Sequence, residues 1–310
     1  MIDCFVIGNN LPEAYHNALV KLFTSDTLEI SATIKVLNPL SEPRISRCFP
    51  GGARELEQYV QEMRDGILDF ETDLDLWHYT YHQRFAPWLD GVVEELKRDP
   101  HSRRAVISIC DNAEDEGSTD PACLQSIQYM IRDGALDCFV YFRSNDAVRA
   151  AFMNMYALIE LQTTIAERLG VPVGEYTHRA NSFHCYPESK TTLAGYCKRI
   201  LESGDVTYRY DTEFKALMDA EKPKIMEMVA RQKRKWESAM MQKEIDEIAS
   251  SLYEPKARWL KVFSIGELIR VYRCSKCGTI LIRRKKDGLP WICHNCDAVM
   301  RKFNVKGWKK

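Results

Sequence analysis

The sequence lacks any long apolar run, because polar residues interrupt every stretch before it reaches the roughly 18 residues of a membrane-spanning helix. It also lacks the basic start and short apolar segment that are typical of a secretory signal. Seven of its 11 cysteines are scattered singly and do not form the dense pattern of a disulfide-stapled secreted protein. We therefore expect a reduced, cytoplasmic protein with no membrane partner.

The 310 residues carry a net charge of only −1, but the two signs are unevenly distributed. Residues 261–310 contain 13 Lys and Arg against three acidic residues, so this tail carries +10 and the rest of the chain −11. A chain of this length can bury one sizeable core and still supply a small appended module. We therefore predict a large domain over residues 1–250, followed by a linker and a small basic module over residues 251–310.

Helix-like and strand-like patterns are mixed along the large domain, which predicts an α+β fold. Residues 147–169 carry apolar side chains at helical spacing and little glycine, so they predict a long core helix. Asp133-Gly134 is a strong signal for a two-residue hairpin between two strand-like runs. Further strands are predicted at 27–36, 105–110, 123–132, 135–143 and 173–186, and further helices from 12, over 53–64, over 89–97 and from 191 to about 248.

The basic module contains two Cys-x-x-Cys pairs, Cys274 with Cys277 and Cys293 with Cys296, separated by 15 residues. Four thiolates at this spacing suit tetrahedral zinc, so the sequence predicts a structural zinc ribbon. A redox pair is the alternative for either motif. The basic residues and the aromatic residues between them fit either a nucleic-acid contact or a solvated basic cap on the ribbon.

In the large domain, Cys123 follows an acidic loop and opens a strand, with Arg103, Arg104 and Arg143 nearby in sequence. A cysteine whose pKa is lowered by cations is a strong nucleophile. Such a thiolate can add to C6 of a pyrimidine and so make C5 nucleophilic. Most free cysteines, however, are buried packing residues, which is the alternative for Cys123 taken alone.

Other side chains in the same stretch suit the recognition of a nucleotide. A phosphate dianion favours several guanidinium groups, and the three arginines could supply them. The carboxamide of Asn154 could pair with both an N–H and a carbonyl of a pyrimidine edge. Its alternative role is that of a polar residue at a helix start.

These residues, in this order, resemble the motifs of thymidylate synthase and the related pyrimidine hydroxymethylases. The segment 81–88 is similar to the family's Tyr-Gly-x-x-x-Arg-x-Trp, and the segment 99–104 to its Asp-Pro-x-Ser-Arg-Arg. The resemblance implies that Tyr81 stands beside the thiol and that both arginines of the second motif reach the partner's substrate phosphate across a homodimer. It further implies phosphate, base and ribose contacts from Arg143, Ser144, Asp146, His184 and Tyr186.

The N-terminal part carries fainter similarities to the same family. Residues 55–61 resemble the helix that bears the family's catalytic glutamate, which would be Glu55 or Glu57, with Glu55 favoured. Arg44 is the candidate for an N-terminal phosphate arginine. The departures from the best-known enzymes, which include a shortened segment between Asp146 and Tyr156, place the chain nearer the divergent archaeal and viral members.

The resemblance implies a thymidylate synthase-like sheet with packed helices and a defined chemistry. The implied reaction transfers a one-carbon unit from 5,10-methylenetetrahydrofolate to C5 of dUMP through the Cys123 adduct. A dUMP or dCMP hydroxymethylase, in which water quenches the methylene intermediate, is the alternative enzyme. A zinc-ribbon nucleic-acid-binding protein on an inactive enzyme fold is the alternative outside enzymology.

Overall fold

The computed structural model describes residues 2–25, 27–73, 78–252, 269–273, 280–284 and 301–303. Contacts divide the chain into two compact units, 1–232 and 233–310. The boundary predicted at residue 250 lies inside the second unit. In the described residues no helix is long and apolar enough to cross a membrane.

The first unit is built from helices and strands in mixed order, so the α+β prediction is confirmed. Its strands are β1 (Asp3–Gly8), β2 (Glu29–Val36), β3 (Ile45–Ser46), β4 (Val106–Ser108), β5 (Leu124–Arg132), β6 (Ala135–Asp146), β7 (Val173–His184) and β8 (Thr207–Tyr208). Its helices are α1 (Leu11–Phe23), α2 (Ala53–Asp65), α3 (Phe70–Asp73), α4 (Tyr81–Phe85), α5 (Leu89–Arg98), α6 (Asn112–Asp115), α7 (Ala151–Leu169), α8 (Lys190–Glu202) and the start of α9 (Lys215–Leu252).

Six strands form one sheet in the order β1-β2-β7-β6-β5-β4. The pairs β1/β2 and β6/β7 are parallel, and the other three pairs are antiparallel. Between β5 and β6, Asp133 and Gly134 have φ angles of 50° and 79°, so the predicted hairpin forms with both residues left-handed. The strand β1 was not predicted, because its short run of residues has no clear alternation.

The two faces of the sheet differ in composition. The registers align Val6, Ile34, His178, Val140, Ile127 and Ile107 in one row across all six strands, and every one of them is buried. The neighbouring row points to the other face and consists of Phe5, Thr33, Arg179, Tyr141, Ser126 and Ser108, none of which is buried. Helices α1 and α7 contact the sheet, and α2, α5 and α8 contact these two helices. The core therefore lies on one side of the sheet only.

In the second unit, β9 (Ile269–Arg273) pairs antiparallel with β10 (Ile280–Arg284) and with β11 (Arg301–Phe303). The four predicted zinc ligands, Cys274, Cys277, Cys293 and Cys296, lie outside the described residues. The zinc ribbon therefore stays a prediction.

Candidate active site

The register of the sheet brings three separated sequence motifs to the same end. The N-terminal end of β5 meets the C-terminal end of β6, because Leu124 pairs with Phe142. Strand β7 runs parallel to β6, so His184 at its end pairs with Asp146. Cys123 stands immediately before β5, and the three motifs therefore converge around its half-buried thiol.

Helices close this end of the sheet and leave a cavity of about 370 Å³. Helix α7 starts just after β6 and presents Asn154 in its first turn. Helix α2 packs against α7, and α4 packs against α2. Eighteen residues line the cavity: Tyr59, Glu62, Met63, Leu68, Asp69, Glu71, Tyr79, Thr80, Tyr81, His82, Cys123, Ser144, Asn145, Asp146, Ala150, Asn154, His184 and Tyr186.

Seven of the predicted catalytic and substrate-binding residues line this cavity. The hydroxyl of Tyr81 accepts a hydrogen bond of 3.3 Å from the backbone N–H of Leu124, which fixes the ring beside the thiol. The rings of His184 and Tyr186 meet edge to face with centroids 4.9 Å apart. The seven are Tyr81, Cys123, Ser144, Asp146, Asn154, His184 and Tyr186.

Arg143 lies behind the thiol and not in the cavity wall. Its Nε and Nη2 donate to the carbonyl oxygens of Ala122 and Pro121 at 3.0 and 2.5 Å, and its backbone N–H donates to the carbonyl of Cys123 at 2.9 Å. Burial raises the pKa of the Cys123 thiol, the positive charge of Arg143 opposes this rise, and Asp120 adds to it. Arg143 therefore holds the loop that carries Cys123 and favours the thiolate form of this cysteine.

Arg44 does not reach the cavity. It is buried, and its Nη2 lies 2.5 Å from Glu160 Oε1 while its guanidinium faces the rings of Tyr156 and Tyr210. Arg44 is therefore buried outside the cavity lining, where Nη2 is paired with Glu160 and Nε has no hydrogen-bond partner in the described residues.

The glutamate favoured from the sequence also lies away from the cavity. Glu55 accepts the backbone N–H of Gly52 at 2.8 Å and so caps the start of α2, and this bond lowers its pKa. Glu57, the alternative, is buried beside Gln61 and Lys222. The glutamate of α2 that lines the cavity is Glu62.

Glu62 is a residue that the sequence reasoning missed. Burial raises its pKa, and the neighbouring Glu71 raises it further, while a hydrogen bond of 2.8 Å from Gln58 opposes the change. A carboxyl group with a raised pKa can exchange a proton near neutral pH. Tyr59, Glu62 and Met63 are three and four residues apart and so share one face of α2, but this spacing does not tell which face of the helix borders the cavity.

Two further groups in the cavity wall were also missed. His82 Nδ1 lies 2.7 Å from Asp69 Oδ2, and Thr80 donates to the other oxygen of Asp69 at 2.5 Å. Gly66 has φ +62° and abuts His82, so a side chain there would displace this pair. Asn145 is buried in the wall, and its Oδ1 has no hydrogen-bond partner in the described part of the chain.

Arg103 and Arg104 lie outside the cavity of a single chain. Both are exposed, and Arg104 forms ion pairs with Glu95 at 2.8 Å and Asp99 at 3.3 Å. Their predicted contact with a partner's nucleotide stays a prediction.

Comparisons with known proteins point to one family. The sequence profile of the thymidylate synthase family matches residues 61–257. A protein of Methanocaldococcus jannaschii named "Putative thymidylate synthase" is 34% identical over 175 residues, which are 53% of this chain and 78% of that protein. A protein of Methanosarcina barkeri with the same name is 32% identical over 139 residues, 42% of this chain and 61% of that protein. The thermostable thymidylate synthase A of Bacillus subtilis superposes with a TM-score of 0.50 and 16% identity over 61% of this chain and 84% of that one, which supports the fold. The profile match covers more than half of the sequence, and the chain belongs to the thymidylate synthase family.

Proposed function

We propose that the chain methylates dUMP at C5, with Cys123 as the nucleophile that activates the pyrimidine. The observation that carries the proposal is the shared cavity. It holds a half-buried thiol, a carboxamide able to read a pyrimidine edge, and a His-x-Tyr pair able to contact a ribose. Family membership supports methyltransferase chemistry of the thymidylate synthase class.

Cys123 would break the conjugation of the ring. Its thiolate forms a sulfur–C6 bond while the C5–C6 π pair moves toward O4, and C5 then becomes nucleophilic. Because burial raises the thiol pKa, the proton must be removed before attack, and the charge of Arg143 favours that step. Asn154 would hold the base by its carbonyl and N–H edge.

Glu62 takes the place of Glu55 as the proposed proton-transfer group. Its carboxyl lines the cavity and has a raised pKa, whereas Glu55 caps a helix outside it. Tyr81, held near the thiol by the amide of Leu124, would share this role by ordering water. Ser144, Asp146, His184 and Tyr186 remain the proposed nucleotide contacts.

The cavity also suits 5,10-methylenetetrahydrofolate as the one-carbon donor. When bound, this cofactor supplies the one-carbon unit and the hydride. Glu62 could accept hydrogen bonds from pterin N–H groups, and the rings of Tyr79 and Tyr81 offer flat surfaces for packing. A volume of about 370 Å³ falls in the usual range for small-molecule sites.

The active form is proposed to be a homodimer that pairs through the uncovered face of the sheet. On the exposed side, Phe5 is 60% and Ile7 45% accessible, and Val106 is 50% accessible. Exposed apolar residues on one face of a sheet are typical of an interface. Among the described residues, no lysine or arginine lines the cavity, and a partner there could bring Arg103 and Arg104 to the phosphate.

Product analysis tests the proposed reaction. The protein would be incubated with dUMP or dCMP and methylenetetrahydrofolate labelled in its one-carbon unit, and the products examined by mass spectrometry. We expect labelled dTMP from dUMP. A product heavier by one oxygen atom would establish a hydroxymethylase, with dCMP as its substrate if only dCMP reacts. No product from either nucleotide would favour nucleic-acid binding on an inactive fold.

The second unit is proposed to hold one structural zinc ion between Cys274, Cys277, Cys293 and Cys296. In support, β9 and β10 form an antiparallel pair whose connection contains Cys274 and Cys277, an arrangement that suits a ribbon. Metal analysis should find one zinc per chain, lost when the cysteines are replaced by serine. Salt-dependent binding to single-stranded DNA would add the nucleic-acid role, and its absence at low salt would leave the ribbon as a basic cap.

A further inference from the structure

We propose that Tyr59 is a positioning residue that selects uracil over cytosine by fixing the orientation of the Asn154 carboxamide. The inference rests on the proposed function, since it concerns the base that the cavity accepts. It assigns a role to a residue that precedes the range matched by the family profile.

The two residues meet across the packed helices α2 and α7. Tyr59 lies on α2, and its hydroxyl donates a hydrogen bond to Oδ1 of Asn154 on α7. Asn154 is 5% accessible, and both residues line the cavity. Within the described residues, this is the single hydrogen bond of either side chain.

The direction of this hydrogen bond follows from the chemistry of a buried phenol. Burial raises the pKa of Tyr59, as do nearby Glu62, Tyr79 and Cys123, so the hydroxyl keeps its proton. That proton needs an acceptor, and Oδ1 of Asn154 is the one that it has. If the carboxamide were reversed, Nδ2 could still donate to the phenol oxygen, but the phenol proton would lose the acceptor that Oδ1 gives it.

With Oδ1 turned to Tyr59, the Nδ2 amino group of Asn154 is left for the cavity. It can donate to O4 of a uracil, and the second lone pair of Oδ1 can still accept the uracil N3–H. A cytosine presents an amino group and an unprotonated N3 at the same edge. Its amino group would then oppose another donor, and the mismatch would weaken binding.

Binding of dUMP and dCMP without folate tests the assignment, measured by titration calorimetry on the full-length protein. We expect the wild type to prefer dUMP, and Tyr59→Phe to lower the ratio of the two affinities by about five- to tenfold, the value of one buried hydrogen bond. Tyr79→Phe is the matched control, because it removes another hydroxyl from the same wall and should leave the ratio within about twofold of the wild type. A general loss of packing would weaken both nucleotides alike and leave the ratio unchanged.

The outcomes separate this inference from the proposed function. An unchanged ratio in Tyr59→Phe, with dUMP still preferred, overturns the role of Tyr59 and leaves the methylation proposal standing. A wild type that prefers dCMP overturns the orientation assigned to Asn154. A wild type that binds neither nucleotide overturns the proposed function itself, and this inference with it.

Discussion

The cavity has two walls of different origin. The sheet wall consists of Cys123, Ser144, Asn145, Asp146, His184 and Tyr186, which lie at or just beyond the ends of β5, β6 and β7. The helix wall consists of the other twelve residues, which lie on α2, α3, α4 and α7 or in the segments before these helices: Tyr59, Glu62, Met63, Leu68, Asp69, Glu71, Tyr79, Thr80, Tyr81, His82, Ala150 and Asn154. Five of the six sheet-wall residues were predicted from the sequence, against two of the twelve in the helix wall. Strand register positions the residues of the sheet wall, whereas the packing of helices positions those of the helix wall.

Replacing Cys123, the proposed nucleophile, tests the sheet wall and has the largest expected effect. Cys123→Ser should lower turnover by roughly 10⁴-fold, because a hydroxyl is a poor nucleophile near neutral pH. Nucleotide binding should survive, since it depends on other groups, and calorimetry can measure it. Cys110→Ser is the matched control, because Cys110 is also half-buried but does not line the cavity. Full activity in Cys123→Ser would end the thiolate hypothesis.

Substitutions of two glutamates on α2 test the role of the helix wall. Glu62→Gln should lower kcat by about 10²- to 10³-fold, which is typical for loss of a proton-transfer group. Glu55→Gln should leave kcat within about twofold, because this residue only caps α2. The carboxylate form of Glu62 is lost as pH falls through its raised pKa, so the acid limb of the wild-type profile should lie above the ordinary range of a glutamate and disappear in Glu62→Gln. Equal losses in both variants would mean that α2 matters through its packing alone.

The different predictability of the two walls has a physical cause. The sheet-wall residues were predicted from short motifs that resemble those of the family. In the structure, the register of β5, β6 and β7 brings those motifs to one end of the sheet. The position of Glu62 depends on the rotation of α2 against α7, which no short motif records. Arg44 and Glu55 show the same limit. An arginine suits a phosphate contact and a glutamate suits proton transfer, but the residue type does not tell which contacts the fold will give it. In the structure Arg44 pairs with Glu160 and Glu55 caps α2, and neither residue lines the cavity.

Mixing two inactive variants tests whether each chain of a homodimer contributes Arg103 to the site of its partner. Cys123→Ser and Arg103→Ala should each be inactive or nearly so, for different reasons. In a homodimer with shared sites, an equal mixture should regain about a quarter of the wild-type activity, since half of the dimers are hybrids with one intact site. Arg168→Ala is a control for the loss of an exposed, ion-paired arginine that does not line the cavity, and it should stay active alone. A fully active monomer in solution would refute the shared site.

The smallest expected effect is on the reactivity of the Cys123 thiol, and it comes from the nearby charges of Asp120 and Arg143. Thiolate is the reactive form, so at a fixed pH below the thiol pKa a lower pKa means faster alkylation. Asp120→Asn removes a charge that raises this pKa, and Arg143→Gln removes one that lowers it. Iodoacetamide labelling of the Cys123 peptide, followed by mass spectrometry, should therefore be several-fold faster in the first variant and several-fold slower in the second. Cys110, labelled in the same samples, reports any general change in reactivity. Faster labelling in Arg143→Gln would show instead that its hydrogen bonds to the carbonyls of Pro121 and Ala122 matter more than its charge, because an opened loop exposes the thiol.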